Sequence, residues 1–145
     1  MFQPPPTLRD LLILGARLLL GVVLLAHGWQ KLVGQGLGAT SAAFARLGVP
    51  VPGLSATFAA CVESGGGLLL VAGLLTPVAA ALVAFVMVGA GWFAGHWFAG
   101  ITGDGGWELV GVIVAGVLVL AATGPGRFSV DHVLTRRRER EAALV

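Results

Sequence analysis

Charge is what this sequence has least of. Lys, Arg, Asp and Glu make up 11% of its 145 residues, against 57% hydrophobic residues, and the mean hydropathy is +0.92. So little charge cannot clothe a water-facing surface, which excludes an ordinary soluble domain and points to an integral membrane protein. Cysteine is almost absent too: Cys61 stands alone, so neither an intrachain disulfide nor a CxxC redox pair exists. The basic residues are eight arginines and one lysine, which with heavy Ala, Gly and Val usage suggests a GC-rich bacterial genome. Most of that basic charge sits in "TRRRERE", where it reads as an orientation signal, and no nucleic-acid partner is expected. The glycine run "ESGGGLLLVAGLL" has neither the lysine nor the hydroxyl of a phosphate loop and serves helix packing. No metal site is expected.

What is there is apolar helix. About 20 apolar residues cross a bilayer, and the spacing predicts four spans at about 7–32, 54–75, 77–97 and 107–123, followed by a basic tail over 124–145. The expected fold is an all-α, polytopic, antiparallel bundle of four transmembrane helices in one domain, 1–145. The run from Leu11 to Ala26 carries Arg17 and lacks a small-x-small cleavage site, so it reads as a retained helix rather than a signal peptide. "LTP" predicts a tight turn with Thr76 as N-cap and Pro77 as the first helical residue. "TSAAFARLG" predicts a short interfacial helix between spans one and two, capped by Thr40 or Ser41, with Phe44 and Leu47 toward lipid. Arg9, Arg127, Arg136, Arg137, Arg138 and Arg140 fall on the terminal side, whereas Lys31 and Arg46 fall on the other. The positive-inside rule then makes both termini cytoplasmic in a multi-pass inner-membrane protein. Trp29, Trp97 and Trp107 form an indole belt toward the outer face.

An ionisable residue at bilayer depth costs roughly 2.5–3.5 kcal/mol on insertion scales, so each one is a candidate for function. At about 100° per residue, Asp10, Arg17, Gly21, Leu24, Gly28 and Lys31 share one side of the first helix, with His27 at its margin. Glu63 lies among small residues of the second span, including Gly66 and Gly67. With Gly21 and Gly28 these glycines predict a close helix–helix contact, and Cys61 points away from it. Helix rise brings Arg17 within reach of Glu63, so a ladder of His27, Glu63 and Arg17 is expected to be geometrically allowed. Two readings of these groups stand side by side: a structural ion pair locking two helices, or a ligand-binding and proton-handling site made of Arg17, His27, Lys31, Glu63 and His96. His27 and His96 on two helices invite a haem, but no spacing motif supports one and haem is not expected. Glu108 suits the positive end of the fourth span. His132 lies in the tail and has no special role.

These features converge on a family likeness. "GARLLLGVVLLAHGWQKL", "FARLGVPVPGLSATFAACVESGGGLLLVAGLLTPVAA" and "GPGRFSVDHVL" together resemble the DoxX family of small four-helix bacterial membrane proteins, over about Leu11 to Leu134. The resemblance implies a four-helix membrane bundle and marks Arg17, His27, Gly28, Lys31, Glu63, Gly66, Gly67 and Arg127. It also implies a link to quinone-coupled oxidoreductases or to thiol and oxidative-stress systems, although most members have no established activity. The expected function is thus a membrane subunit of a redox system. It would bind a quinone or similar apolar ring near the outer leaflet, with Trp29 and Trp97 stacking on the ring. Its electrons would come from a soluble or membrane redox partner. A non-enzymatic assembly subunit and a small-solute transporter, perhaps a homo-oligomer, are the alternatives; whether the chain is an enzyme stays open.

Overall fold

A computed structural model describes residues 4–95, 97 and 107–142. Among the described residues there are helices joined by short turns and loops, and no strand. Helix α1 spans Pro6–Trp29 and runs on into a π-helical segment, Gln30–Gly34. Helix α2 covers Gly36–Arg46, α3 Pro52–Ala72, α4 Thr76–Phe93, α5 Glu108–Thr123 and α6 Val130–Ala142. Three stretches, Pro6–Gly34, Pro52–Ala72 and Thr76–Phe93, are long and apolar enough to cross a membrane, and Glu108–Thr123 is a shorter apolar helix. The protein is a polytopic membrane bundle.

The bundle is closed by α1 on α3, α3 on α4, α4 on α5 and α5 back on α1, with α2 lying across α3. Its core is built from Leu24, Leu70, Val83, Ile113, Val117 and Leu120, packed with the small residues Ala79 and Ala80. The large side chains that face outward are apolar as well, Leu19, Leu54 and Phe85 among them. That inverts a water-soluble protein and matches a lipid-facing wall. The α1–α3 contact is the closest approach: a Cβ on Gly21 would lie 2.8 Å from the carbonyl oxygen of Gly67, and one on Gly67 would lie 2.9 Å from that of Gly21. Glycine facing glycine lets two backbones touch where side chains would hold them apart.

Helix ends follow local chemistry, though not always that expected. Pro6 and Pro52 open α1 and α3, positions where a missing N–H costs nothing. Helix α3 stops at Gly73, whose φ of 66° is left-handed. Gly73 N–H donates to Leu70 O (3.2 Å) and Leu74 N–H to Leu69 O (3.0 Å), the two bonds of a Schellman ending. The second span therefore ends at Ala72 rather than Leu75. Thr76 is not the cap of α4: it is the first helical residue, Pro77 follows it inside the helix, and Leu75 occupies the cap position with no side-chain cap of its own. The Thr76 hydroxyl is buried without a hydrogen-bond partner.

The interfacial helix exists but begins earlier than expected, at Gly36. Gly36 adopts a φ of 79° and so turns the chain out of the π-helical segment. Neither Thr40 nor Ser41 caps α2. Thr40 lies inside the helix, buried, with its hydroxyl donating to Gly36 O at 3.0 Å. Phe44 packs against the core rather than lipid, because α2 rests on α3; Leu47 is exposed. Helix α4 ends at Phe93, short of Trp97. The basic tail is itself mostly helix, as α6.

Candidate functional site

The buried face of α1 consists of Asp10, Ile13, Arg17, Gly21, Leu24 and Gly28, one stripe at helical spacing. Its polar members, Asp10 and Arg17, meet the loop before α6, while Lys31 in the following π-helical segment makes a second polar place at the opposite end of the bundle.

Arg17 is 1% exposed and spends its donors on main-chain carbonyls. Nε donates to Leu70 O (2.8 Å) and Nη2 to Val71 O (2.8 Å), while Nη1 donates to Pro125 O (2.7 Å) and Phe128 O (2.9 Å). Leu70 and Val71 belong to the last turn of α3, where carbonyls lack i+4 partners within the helix, Leu70 O taking only the Gly73 N–H of the helix ending, and carry the negative end of the dipole. A guanidinium, with a planar fork of donors, is suited to gathering such carbonyls. Arg17 thereby staples the end of α3 to the loop that leads into α6.

The same loop is held from several directions. Asp10 Oδ1 accepts the Arg127 N–H at 3.3 Å, and its Oδ2 lies 3.9 Å from Arg127 Nε. The Ser129 hydroxyl donates to Gly126 O at 2.6 Å and accepts the His132 N–H at 3.2 Å, which makes it the N-cap of α6. Asp131 N–H donates to Gly73 O at 3.1 Å. The Asp131 carboxylate accepts from Leu75 N–H (3.2 Å) and Thr76 N–H (3.5 Å), supplying from 55 residues away the cap that α4 lacks locally. These roles of Asp10, Ser129 and Asp131 are not among those expected from the sequence. Ser129 carries a local signal, a serine directly before a helix; the Asp131 cap has none.

The second place is at the other end of α1. Lys31 Nζ lies 2.7 Å from Glu63 Oε2, with side-chain exposures of 19% and 4%. Glu63 therefore pairs with Lys31, not Arg17. Antiparallel packing sets Gly21 beside Gly67 and Val71, and Gly28 against Ser64, which brings Glu63 level with Lys31. Arg17 lies fourteen residues back along α1, about 21 Å by helix rise, so the expected Arg17–Glu63 contact and the ladder through it do not form. Lys31 sits in the π-helical segment, a geometry found disproportionately at functional sites because it displaces side chains from the regular helical register. Thr40 of α2 reaches toward the Lys31 carbonyl at 3.5 Å.

His27 stands near this pair but turns to its own helix: Nδ1 is 2.8 Å from Val23 O. A carbonyl only accepts, so Nδ1 carries the hydrogen in this contact and Nε2 is the acceptor nitrogen of the neutral ring. His96 lies outside the described residues. Trp29 is exposed at the surface of α1. Trp97 is engaged within the protein: its Nε1 donates to Val88 O at 3.1 Å, its ring packs over Gly91, and it meets Trp107 with centroids 6.0 Å apart. Gly66 is close-packed against Val83 of α4. Glu108 is exposed in the first turn of α5, and Cys61 is exposed on α3. Among the described residues no group of three His, Cys, Asp or Glu is placed to hold a metal ion.

The DoxX family model matches residues 12–97, which include Arg17, His27, Lys31 and Glu63 but not Asp10 or the loop from Arg127 to Asp131. Inner membrane protein YqjF of Escherichia coli is 31% identical over 131 residues, covering 90% of this chain and 97% of its own. Inner membrane protein YphA of the same organism is 34% identical over 130 residues, covering 86% and 91%. Membrane protein Rv3486 of Mycobacterium tuberculosis is 34% identical over 138 residues, covering 83% and 80%. No solved structure matches at a significant level.

Proposed function

The chain belongs to the DoxX family of membrane proteins, and from that premise we propose that it is an integral membrane subunit of a redox system that takes a quinone-class ring at Lys31 and Glu63. The observation that carries this reading is the Lys31–Glu63 pair, 2.7 Å apart and set on a π-helical segment of α1. A quinone presents two carbonyl oxygens on an apolar ring and, when reduced, takes up two electrons and two protons. The Lys31 ammonium has spare donors for a ring carbonyl beyond the one spent on Glu63, and the Glu63 carboxylate is a proton acceptor beside it. The concentration of Arg9, Arg127 and the arginines of α6 at the terminal end supports, by the positive-inside rule, cytoplasmic termini and hence a pair toward the outer leaflet. With one cysteine the chain has no dithiol of its own, and electrons are exchanged with a partner protein.

The test is tryptophan quenching in phosphatidylcholine nanodiscs titrated with a short-chain benzoquinone. Saturable quenching is expected, weakened at least about tenfold in Lys31→Met and Glu63→Gln, as for loss of a charge-assisted hydrogen bond. Non-saturable partitioning, identical in all three proteins, overturns the quinone reading. A second reading, a non-enzymatic assembly subunit, is favoured by one observation: all four hydrogen bonds of Arg17 go to main-chain carbonyls, so this intramembrane charge is accounted for by architecture.

A further inference from the structure

The end of the bundle opposite Lys31 carries a cavity of about 310 Å³ walled by Thr7 and Asp10 of α1, Arg127 and Phe128 of the loop, and His132 and Arg136 of α6. A second, of about 240 Å³, shares His132 and Arg136 and adds Arg137 and Arg140. At 100° per residue His132, Arg136 and Arg140 share one face of α6, bordered by Arg137 and Glu139, while Asp131 and Glu141 project elsewhere. Across the two cavities four arginines, Arg127, Arg136, Arg137 and Arg140, are opposed by one lining acid, Asp10, which is already engaged by the Arg127 N–H, with Glu139 at the rim. The start of α6 is tied to the bundle at Gly73, Leu75 and Thr76 through Asp131. On the α1 face that continues from Thr7, Leu11 and Leu18 are 50% and 41% exposed. A basic cavity therefore opens directly onto an apolar helix wall.

We propose that this cavity binds the headgroup of an anionic phospholipid, its phosphate oxygens accepting from Arg127 and Arg136 and its acyl chains descending past Leu11 and Leu18. Arginine donors and a positive local field recognise the phosphodiester and select a net negative headgroup over a zwitterionic one. The leucine wall makes the ligand a lipid, since a free anion has no use for it.

Full-length protein in detergent is titrated with dioleoyl phosphatidylglycerol and with dioleoyl phosphatidylcholine, and adducts are counted by native mass spectrometry. Phosphatidylglycerol is expected to bind preferentially. The R136Q/R137Q/R140Q variant is expected to lose that preference, at roughly fivefold per arginine. Arg46→Gln, a basic residue at the opposite end, should keep it. The R136K/R137K/R140K variant should also retain it, which separates loss of charge from loss of fold. Equal binding of the two lipids by the wild type, or an unchanged preference in the glutamine variant, overturns the proposal. So does displacement of phosphatidylglycerol by equimolar glycerol phosphate, which would make the cavity a site for a free anion.

Discussion

The guanidinium of Arg17 occupies the space that a side chain on Gly73 would need. A Cβ built there meets Arg17 and, at 2.6 Å, the Cβ of Ser129, and the residue is also left-handed at φ 66°. Gly73→Ala is therefore expected to cost about 2–4 kcal/mol, combining left-handed strain with overpacking. Equilibrium unfolding in mixed detergent micelles measures it, and a variant as stable as the wild type would show that the contact is not tight.

Arg17→Lys keeps the charge but not the fork. One ammonium cannot reach the carbonyls of Leu70, Val71, Pro125 and Phe128 together as the guanidinium does. A loss of at least about 2 kcal/mol is expected from carbonyls left without partners. If lysine substitutes without loss in the same unfolding assay, Arg17 is acting as a point charge and not as a clamp.

At the start of α4 two substitutions should differ in their effect on stability. Asp131→Ala removes the cap on Leu75 and Thr76 and is expected to cost about 1 kcal/mol. Thr76→Val replaces a buried hydroxyl that has no partner with a methyl of similar size, and should be neutral or stabilising by up to about 1–2 kcal/mol. A destabilised Thr76→Val would mean that the hydroxyl is satisfied after all, and thermal unfolding distinguishes the cases.

The Lys31–Glu63 pair is open to a double-mutant cycle. Glu63→Leu alone leaves the ammonium without its carboxylate and is expected to cost about 3 kcal/mol, less whatever the partial exposure of Lys31 recovers by solvation. Lys31→Met with Glu63→Leu should recover most of that loss. Additive single effects would show that the two side chains are not coupled.

Much of this architecture is legible in the sequence because it is periodic or local. The stripe from Asp10 to Gly28 follows from 100° spacing, and the expected start of the first span near residue 7 lies one residue from Pro6, whereas the expected second span runs on to Leu75, past the left-handed Gly73 that stops α3. The partner of Glu63 was not legible, because axial register between two helices is a tertiary quantity. Counting from the helix ends treats them as flush, yet α1 outruns α3 by about three turns at the Arg17 end, judged from the Gly21–Gly67 contact. There the loop from Pro125 to Ser129 fills the space beside it. The α6 helix was hidden for a different reason: its arginines read as a solvated tail, and the bonds that fix its start come from Asp131 contacts far away in sequence.

The Asp131 cap also sets an order of events during synthesis. The N–H groups of Leu75 and Thr76 leave the ribosome 55 residues ahead of the Asp131 carboxylate that caps Thr76, a delay of roughly 3–11 s at ordinary elongation rates. Two of the carbonyls held by Arg17, those of Pro125 and Phe128, also arrive only then. The hairpin of α3 and α4 must enter the membrane with this end open, and it is latched when the last apolar helix has been made.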